Sequence, residues 1–513
     1  MNKNYYITTP IYYPSARPHM GHAYSNIIAD FFARFKRMDG YDVHFLTGTD
    51  EHGLKIQRAA EKDNIEPLEF CNHISQTFRD LSKTLNLSNT DFIRTTEKRH
   101  KTTVQYLWSE LENNDNIYLS KYSGWYSISD ETYYNKDEIT IRDGIKTATI
   151  SGSAVEWIEE ESYFFRLSKW QDKLLEYYEK NPEFISPKSR KNEVISFVKS
   201  GLKDLSISRK AFSWGIKVPN NSDHVIYVWL DALVNYISAL NYPNTSDELF
   251  KKFWPASVHL IGKDILRFHA IYWPAFLMAA KIPLPKKIYG HGWILSGQEK
   301  MSKSKGNILD PLDIIKKYGI DPLRYYLIKE VSFGSDGNIS QDKLEDCINS
   351  DLANNYGNLC QRVTAFAENN CSSKIPSIIK LNSEDLIILN RFTENLSHLR
   401  NEIDNQNINF YISFIVNSLF DANKYFNDQE PWKKKNDKER LDTIVYTSLE
   451  IIRKISIMLY PIIPESVEKA LKIFNISPTD IIFETIGVHN ILNPGDKINK
   501  IDILFKKIEK IDD

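Results

Sequence analysis

Apolar and β-branched residues crowd positions 5–9, and a loop with Pro10, Pro14 and Pro18 follows. From about residue 21 to 38 the apolar positions recur at helical spacing. Strand, loop and helix in that order open a nucleotide-binding α/β unit. A second strand at 42–47 runs into Gly48-Thr49-Asp50-Glu51-His52-Gly53, so polar side chains gather again where a strand finishes. Open parallel sheets bind ligands outside the carboxyl ends of their strands, which makes these loops candidates for one crevice.

From about 118 to 223 the pattern breaks into short alternating runs, such as 131–140 and 162–167, mixed with charged helical stretches, and reads as an inserted module. The α/β style resumes with a strand at 225–230, continues through 258–261 and its following helix, and reaches another strand at 287–289. The most apolar window, 265–280, is interrupted by Arg267 and His269 and predicts a buried helix. Beyond 351 strand signals fade, and apolar residues recur helically through 386–403, 410–426 and 446–460. The segment 480–513 mixes strand-like and basic helical character. The expected fold is α/β: a Rossmann-like parallel-sheet domain in two halves, 1–117 and 225–296, split by an inserted mixed α/β module at 118–224. A connecting region follows at 297–350, and an all-α bundle with a C-terminal tail occupies 351–513.

Size fits this picture, since 513 residues exceed one ordinary core. No stretch approaches the roughly 20 apolar residues a membrane span needs, and the chain starts directly in a strand pattern, so a cytoplasmic protein with no membrane partner is expected. The four cysteines, Cys71, Cys347, Cys360 and Cys371, match no zinc-knuckle spacing and read as structural thiols. A net charge of −2 excludes a protein that coats nucleic acid over its whole surface. Lys286-Lys287, the lysines of 300–305 and those of 433–435 leave room for a local basic face.

Two strings carry candidate chemistry. His19-Met20-Gly21-His22 stands where a proline-containing loop becomes a helix, so amides at a helix N-terminus and two imidazoles are available to phosphate oxygens, and Gly21 permits close approach of a nucleotide. Lys300-Met301-Ser302-Lys303-Ser304-Lys305-Gly306-Asn307 is a basic loop whose compact ammonium charges suit a departing pyrophosphate. Taken singly, the first string could be a capped turn and the second a solvated loop.

Together, in this order and separated by an insert, they resemble the two signatures of class I aminoacyl-tRNA synthetases, with Met20 where the commonest form has isoleucine. The strings 8–13, 48–53, 227–233, 261–265 and 290–293 are similar to the methionyl branch of that family. The resemblance implies a ligase that activates L-methionine with ATP and Mg²⁺ and transfers it to the 3′-terminal ribose of tRNA(Met), initiator tRNA included. It implies phosphate binding and transition-state stabilisation by His19, His22, Lys300 and Lys303, with Gly21, Gly290, Gly292, Trp293, Met301, Ser302 and Ser304 completing the ATP site. Ile11, Tyr13, Asp50, Trp229, Ala232, Tyr236, Phe268 and His269 match methionine-site positions, with Asp50 on the ammonium group. Rings around a thioether fit physically, because sulfur packs well against ring edges. Asp264 and Trp273 would back or close the pocket.

The same resemblance assigns Asn358, Arg362 and Trp432 to the anticodon. An amide, a guanidinium and an indole suit bases that are read by stacking and edge hydrogen bonds. Many relatives carry Cys-x-x-Cys knuckles in the insert; residues 122–131 here contain no cysteine, so no structural zinc is expected and no protein metal site at all. Trp125, Tyr126, Tyr133, Tyr134 and Trp157 should then hold the module by packing. His73, His100 and His224 read as surface or capping histidines, and a monomer is expected. The rivals are a class I synthetase for cysteine, isoleucine or leucine and a non-catalytic tRNA-binding paralogue. The insert is small for the editing domain of the aliphatic enzymes, and a paralogue should have lost its phosphate-binding side chains.

Overall fold

In the computed structural model, residues 3–14, 17–130, 132–134, 136–142, 144–296, 299–300, 309–378, 380–487 and 492–509 are described. The chain divides into two compact units, one formed by Asn4–Ala29 and Val43–His291, the other by Met1–Lys3, Asp30–Asp42 and Gly292–Asp513.

The first unit is built on a six-stranded sheet in the order Asp91–Arg94, Tyr41–Thr49, Lys3–Tyr12, Val258–Gly262, Ile288–His291, Ile185–Ser186. Parallel pairing joins Lys3–Tyr12 to Val258–Gly262, that strand to Ile288–His291, and Tyr41–Thr49 to Asp91–Arg94. Strands covered on both faces need near-continuous apolar runs rather than alternation. Residues 5–10 and 43–49 are accordingly buried without a break. The helix Met20–Met38 follows the first strand as expected.

The insert is a separate antiparallel construction. Ile117–Ser127 pairs with Glu156–Phe165 from Ile117 opposite Phe165 to Tyr126 opposite Glu156, with Thr132–Tyr134 and Leu205–Ser206 on the flanks. Two expectations are corrected here. Residues 225–230 are not a strand of the parallel sheet. Asn221–Ile226 belongs to a small sheet with Ser208–Arg209 and Lys217–Val218, and Val228–Leu233 is helical. A short apolar run between turns has no periodicity that separates a buried strand from a buried helix. Conversely, Ile185–Ser186, from within the stretch read as insert, adds an edge strand parallel to Ile288–His291.

The window 265–280 is helical but not uniform. Lys263–Ile265 is a 3₁₀ turn, Phe268–Tyr272 a π-helical turn and Trp273–Ala279 an α-helix. Pro274 has no N–H to give the carbonyl of Ala270 four residues back. The hydroxyl of Tyr178 donates to that carbonyl instead, at 2.5 Å. Wide turns of this kind occur disproportionately at functional sites.

The second unit contains the expected bundle, with long helices at Ser383–Asp404, Ile408–Asp428 and Lys438–Leu459. Arg324, fully buried, donates to Asp30 at 2.7 Å and to the carbonyls of Ile462 and Pro461. A small sheet joins Ile294–Ser296 to Glu299–Lys300 and Gly337–Ile339. The tail is neither strand nor long helix over its described residues. It makes 3₁₀ turns at Pro478–Asp480 and Phe483–Ile486 and one bridge from Lys497 to Lys374. The four cysteines are free thiols, Cys71, Cys347 and Cys360 buried. Among the described residues, no helix is long and apolar enough to cross a membrane.

Candidate active site

In the first unit, His19 and His22 flank the start of the helix Met20–Met38, their rings stacked with centroids 3.7 Å apart. Backbone N–H groups fix both tautomers. The amide of His19 donates to Nδ1 of His22, and that of Gly21 to Nδ1 of His19, each at 3.1 Å. With Nδ1 accepting, the proton of each neutral ring sits on Nε2, where it can be donated to an anion. Partial burial and the neighbouring His19 hold the His22 imidazole well below its usual range, so that ring is neutral before an anion arrives. A Cβ at position 21 would lie 3.0 Å from Cε1 of His19, so Gly21 gives the folded-back ring its space. His291 closes the neighbouring strand end, with Nε2 2.8 Å from Oγ of Ser25.

A chamber of aromatic rings lies in the same unit. The indole of Trp229 stacks on Phe268 with centroids 3.7 Å apart and planes 4° from parallel, and His269 meets that indole edge-on. Nδ1 of His269 lies 3.0 Å from the Ile265 carbonyl, which can only accept, so Nδ1 carries the proton and Nε2 accepts the hydroxyl of Tyr236 at 2.7 Å. Burial pushes His269 down to about 4, which keeps this neutral tautomer at physiological pH. Behind it, Tyr236 stacks on His259 at 4.1 Å, and His259 is bonded to Thr8 and to the indole N–H of Trp273. Ile11, Tyr13 and Phe268 are partly buried against the same apolar core, and Ala232 is buried.

Asp50 is buried on the loop after the strand Tyr41–Thr49, its amide donating to the Tyr12 carbonyl at 2.9 Å. Glu51 beside it is held by Arg94, Thr49 and Thr96. The sequence strings 48–53 and 227–233 contain His52 and Asp231 but assign neither a role, and His100 is not the surface or capping residue expected. Nδ1 of His52 donates to Oδ2 of Asp231 at 2.6 Å, and Nε2 of His100 to Oδ1 at 2.7 Å. Burial alone would push this carboxyl up, yet the two imidazoles hold it down to about 2. His100 and His224 are therefore fully buried rather than surface residues, His224 bonding to Ser208. Their partners are remote in sequence, which spacing cannot reveal; His73 is exposed as expected.

Gly290, on the strand Ile288–His291, and Asp264, on the turn Lys263–Ile265, also lie in the first unit, and the remaining sequence candidates belong to the second. A Cβ on Gly292 would come within 2.2 Å of the Ser335 backbone, so close packing by itself requires glycine there. The amide of Trp293 donates to Asp336 at 2.9 Å. Lys300 lies on the short strand Glu299–Lys300, whereas Met301, Ser302, Lys303 and Ser304 fall outside the described residues. Asn358 opens the helix Asn358–Asn370 with Arg362 one turn on. Arg362 donates to Asn427 at 2.7 Å and sits 5.5 Å from the ring centre of Phe426, against which Trp432 packs edge-on. Trp432 remains 42% exposed, too much for a ring that only cements a core.

Comparison with known proteins decides what this arrangement belongs to. Residues 5–143 and 145–364 match the family described as tRNA synthetases class I (M), and 375–513 match the anticodon binding domain of methionyl tRNA ligase. The chain belongs to the methionyl class I tRNA synthetases. It is 49% identical over 516 residues to a methionine–tRNA ligase of Rickettsia felis, covering 99% of each chain, and 50% identical over 473 residues to one of Brucella melitensis, covering 92% of each. Its fold is similar to that of Mycobacterium tuberculosis methionyl-tRNA synthetase in complex with methionyl-adenylate, with a TM-score of 0.96, 44% identity and coverage of 98% of this chain and 99% of that one. The apo form of the same mycobacterial synthetase gives 0.90 at 41% identity over 100% and 99%.

Proposed function

We propose that this family member activates L-methionine with ATP and transfers it to the 3′-terminal ribose of tRNA(Met), elongator and initiator alike, with the residues described above in the following roles. The observation that carries the reading is the ring chamber of Trp229, Phe268, Tyr236 and His269, with the carboxylate of Asp50 buried in the same unit of a chain of methionyl-synthetase fold. Asp50 holds the substrate ammonium; Ile11, Tyr13, Trp229, Ala232, Tyr236, Phe268 and His269 enclose the side chain. The carboxylate oxygen attacks the α-phosphorus, and the bond to the bridging oxygen of pyrophosphate breaks. The Nε2–H groups of His19 and His22 and the ammonium groups of Lys300 and Lys303 stabilise the charge that develops. Gly21, Gly290, Gly292, Trp293, Met301, Ser302 and Ser304 border the nucleotide. A ribose hydroxyl of the tRNA then attacks the acyl carbon and AMP leaves.

Mg²⁺ accompanies the triphosphate in this reading. The described residues include no group of three or more His, Cys, Asp or Glu placed to hold a metal. An ion of this kind is carried mainly by phosphates and water rather than by a protein cage. Bound there, it neutralises phosphate charge.

The domain roles follow: catalytic halves at 1–117 and 225–296, the insert at 118–224, a lysine-loop and stem-contact region at 297–350, and an anticodon-binding region at 351–513. Asn358, Arg362 and Trp432 read the anticodon, backed by the buried ring of Phe426. In place of knuckle cysteines, Asp130 accepts from Tyr134 and Ser153 at 2.8 Å within the insert, and Lys146 lies 3.8 Å from the ring centre of Trp125. Trp157 meets Trp125 edge-on but is 55% exposed, so its share of that packing is small. The protein acts in the cytoplasm as a monomer. Charging assays with labelled methionine test the whole reading: tRNA(Met) transcripts should be esterified, and transcripts with a changed anticodon should be charged poorly. Equal charging of both, or of neither, contradicts it.

A further inference from the structure

A carboxylate that is fully buried costs free energy unless all its lone pairs are used, and an apolar residue would fill the space at less cost. Asp231 nevertheless stands wholly buried on the helix Val228–Leu233, which also carries Trp229 and Ala232. Its two oxygens accept from His52, two residues beyond Asp50, and from His100 on the helix Lys98–Asn113. Nδ1 of His100 in turn lies 2.9 Å from Oγ of Ser238, on the short helix that carries Tyr236. The indole of Trp214 packs edge-on against the His52 ring at 5.5 Å.

One hydrogen-bonded chain thus runs through the elements that bear Asp50, Trp229, Ala232 and Tyr236. The bonds of Glu51 to Arg94 and Thr96 tie the Asp50 loop to the sheet side. The bond from His52 to Asp231 ties that loop to the helix bearing the indole. We propose that Asp231, gripped by His52 and His100, is a positioning residue for methionine, setting the spacing between the ammonium-binding carboxylate and the ring chamber. This rests on the methionine-site reading given above. Asp231 touches no substrate. Its effect is on how well methionine is held and not on the phosphoryl-transfer step.

Methionine-dependent ATP–pyrophosphate exchange by the full chain separates the alternatives. His52→Ala removes the loop-side donor, whereas His52→Asn keeps an amide N–H close to the position of Nδ1. His52→Ala should raise the KM for methionine about tenfold or more, the cost of losing a hydrogen bond to a buried charge. kcat and the KM for ATP should stay within about twofold, and His52→Asn should recover most of the lost affinity. Asp231→Asn should show the same split. If that variant does not fold, the His52 pair decides alone. A folded His52→Ala protein with unchanged KM for methionine, or one whose kcat and both KM values worsen together without rescue by asparagine, overturns the proposal. Asp50→Ala separates this failure from failure of the pocket reading. Should Asp50→Ala raise the methionine KM while His52→Ala does not, only the positioning role falls; should Asp50→Ala leave it unchanged, the pocket reading falls as well.

Discussion

The chamber proposed for methionine and the surface proposed for the anticodon use the same kinds of side chain in opposite ways. In the chamber, Trp229 and Tyr236 are buried; the Tyr236 hydroxyl and the His269 ring complete their hydrogen bonds internally with Ile265, while the buried indole N–H of Trp229 has no partner among the described residues. On the anticodon side, Trp432 keeps 42% of its surface exposed and meets its neighbour Phe426 only edge-on. A small apolar amino acid offers few polar handles, so selection has to come from enclosure and shape. A single-stranded loop brings flat faces and hydrogen-bonding edges, and an exposed indole beside a guanidinium can use both. The difference teaches that chemistry and tRNA selection should be separable by mutation.

The largest effect should come from Lys303→Ala. Losing the positive charge proposed to stabilise the departing pyrophosphate should cut the exchange rate about 100- to 1000-fold. Methionine affinity, measured by equilibrium binding, should be unchanged, and a parallel loss of affinity would contradict a role confined to the transition state. Next in size, Trp432→Ala should lower kcat/KM for tRNA charging by about ten- to a hundredfold, the worth of a base stacked on an aromatic ring. Pyrophosphate exchange should be untouched; a drop in both activities would erase the proposed division between the two sites.

Acid should distinguish the regions too. Burial lowers His22, His259 and His269, the last to about 4, against an unfolded histidine near 6.5. A base whose folded value is depressed binds fewer protons folded than unfolded. Its neutral form is therefore fully favourable above about 6.5, and stability falls as pH drops from there toward 4, by up to about 1.4 kcal/mol per pH unit for His269. The melting temperature of His269→Gln should depend less steeply on pH over that window, and an unchanged slope would show that the ring is not buried neutral. Tyr236→Phe should have the smallest effect. Losing the hydroxyl that His269 Nε2 accepts should raise the methionine KM about fivefold and leave tRNA affinity alone. An unaltered KM would remove this hydrogen bond from the account of specificity.

How legible these features were depended on the range over which their causes act. Helix periodicity placed Met20–Met38 and the three long bundle helices, because apolar residues recur at helical spacing over several turns in each, even where, as in Lys438–Leu459, nearly every residue is buried. Residues 225–230 misled, since Val228, Trp229 and Leu230 are buried all round and carry no stripe. The window 265–280 reads in sequence only as a buried helix, and the π turn at Phe268–Tyr272 is relieved by Tyr178, an element ninety-two positions away. The rings of the chamber could be nominated only through family resemblance, for nothing local distinguishes Phe268 from an ordinary core residue. His100 and His224 were misjudged for the same reason: Asp231 and Ser208 are neighbours in space alone. Gly292 gained a reading the sequence could not give, the backbone of Ser335 pressed against it.

Pyrophosphate exchange measured with each of the twenty amino acids in turn bears most directly on the enclosure argument. A chamber shaped by the stacked Trp229 and Phe268 should support rapid ATP-dependent exchange with methionine, with isoleucine, leucine and cysteine at least about a hundredfold less effective in kcat/KM. Exchange supported equally by one of those three, or by none of the twenty, would contradict it.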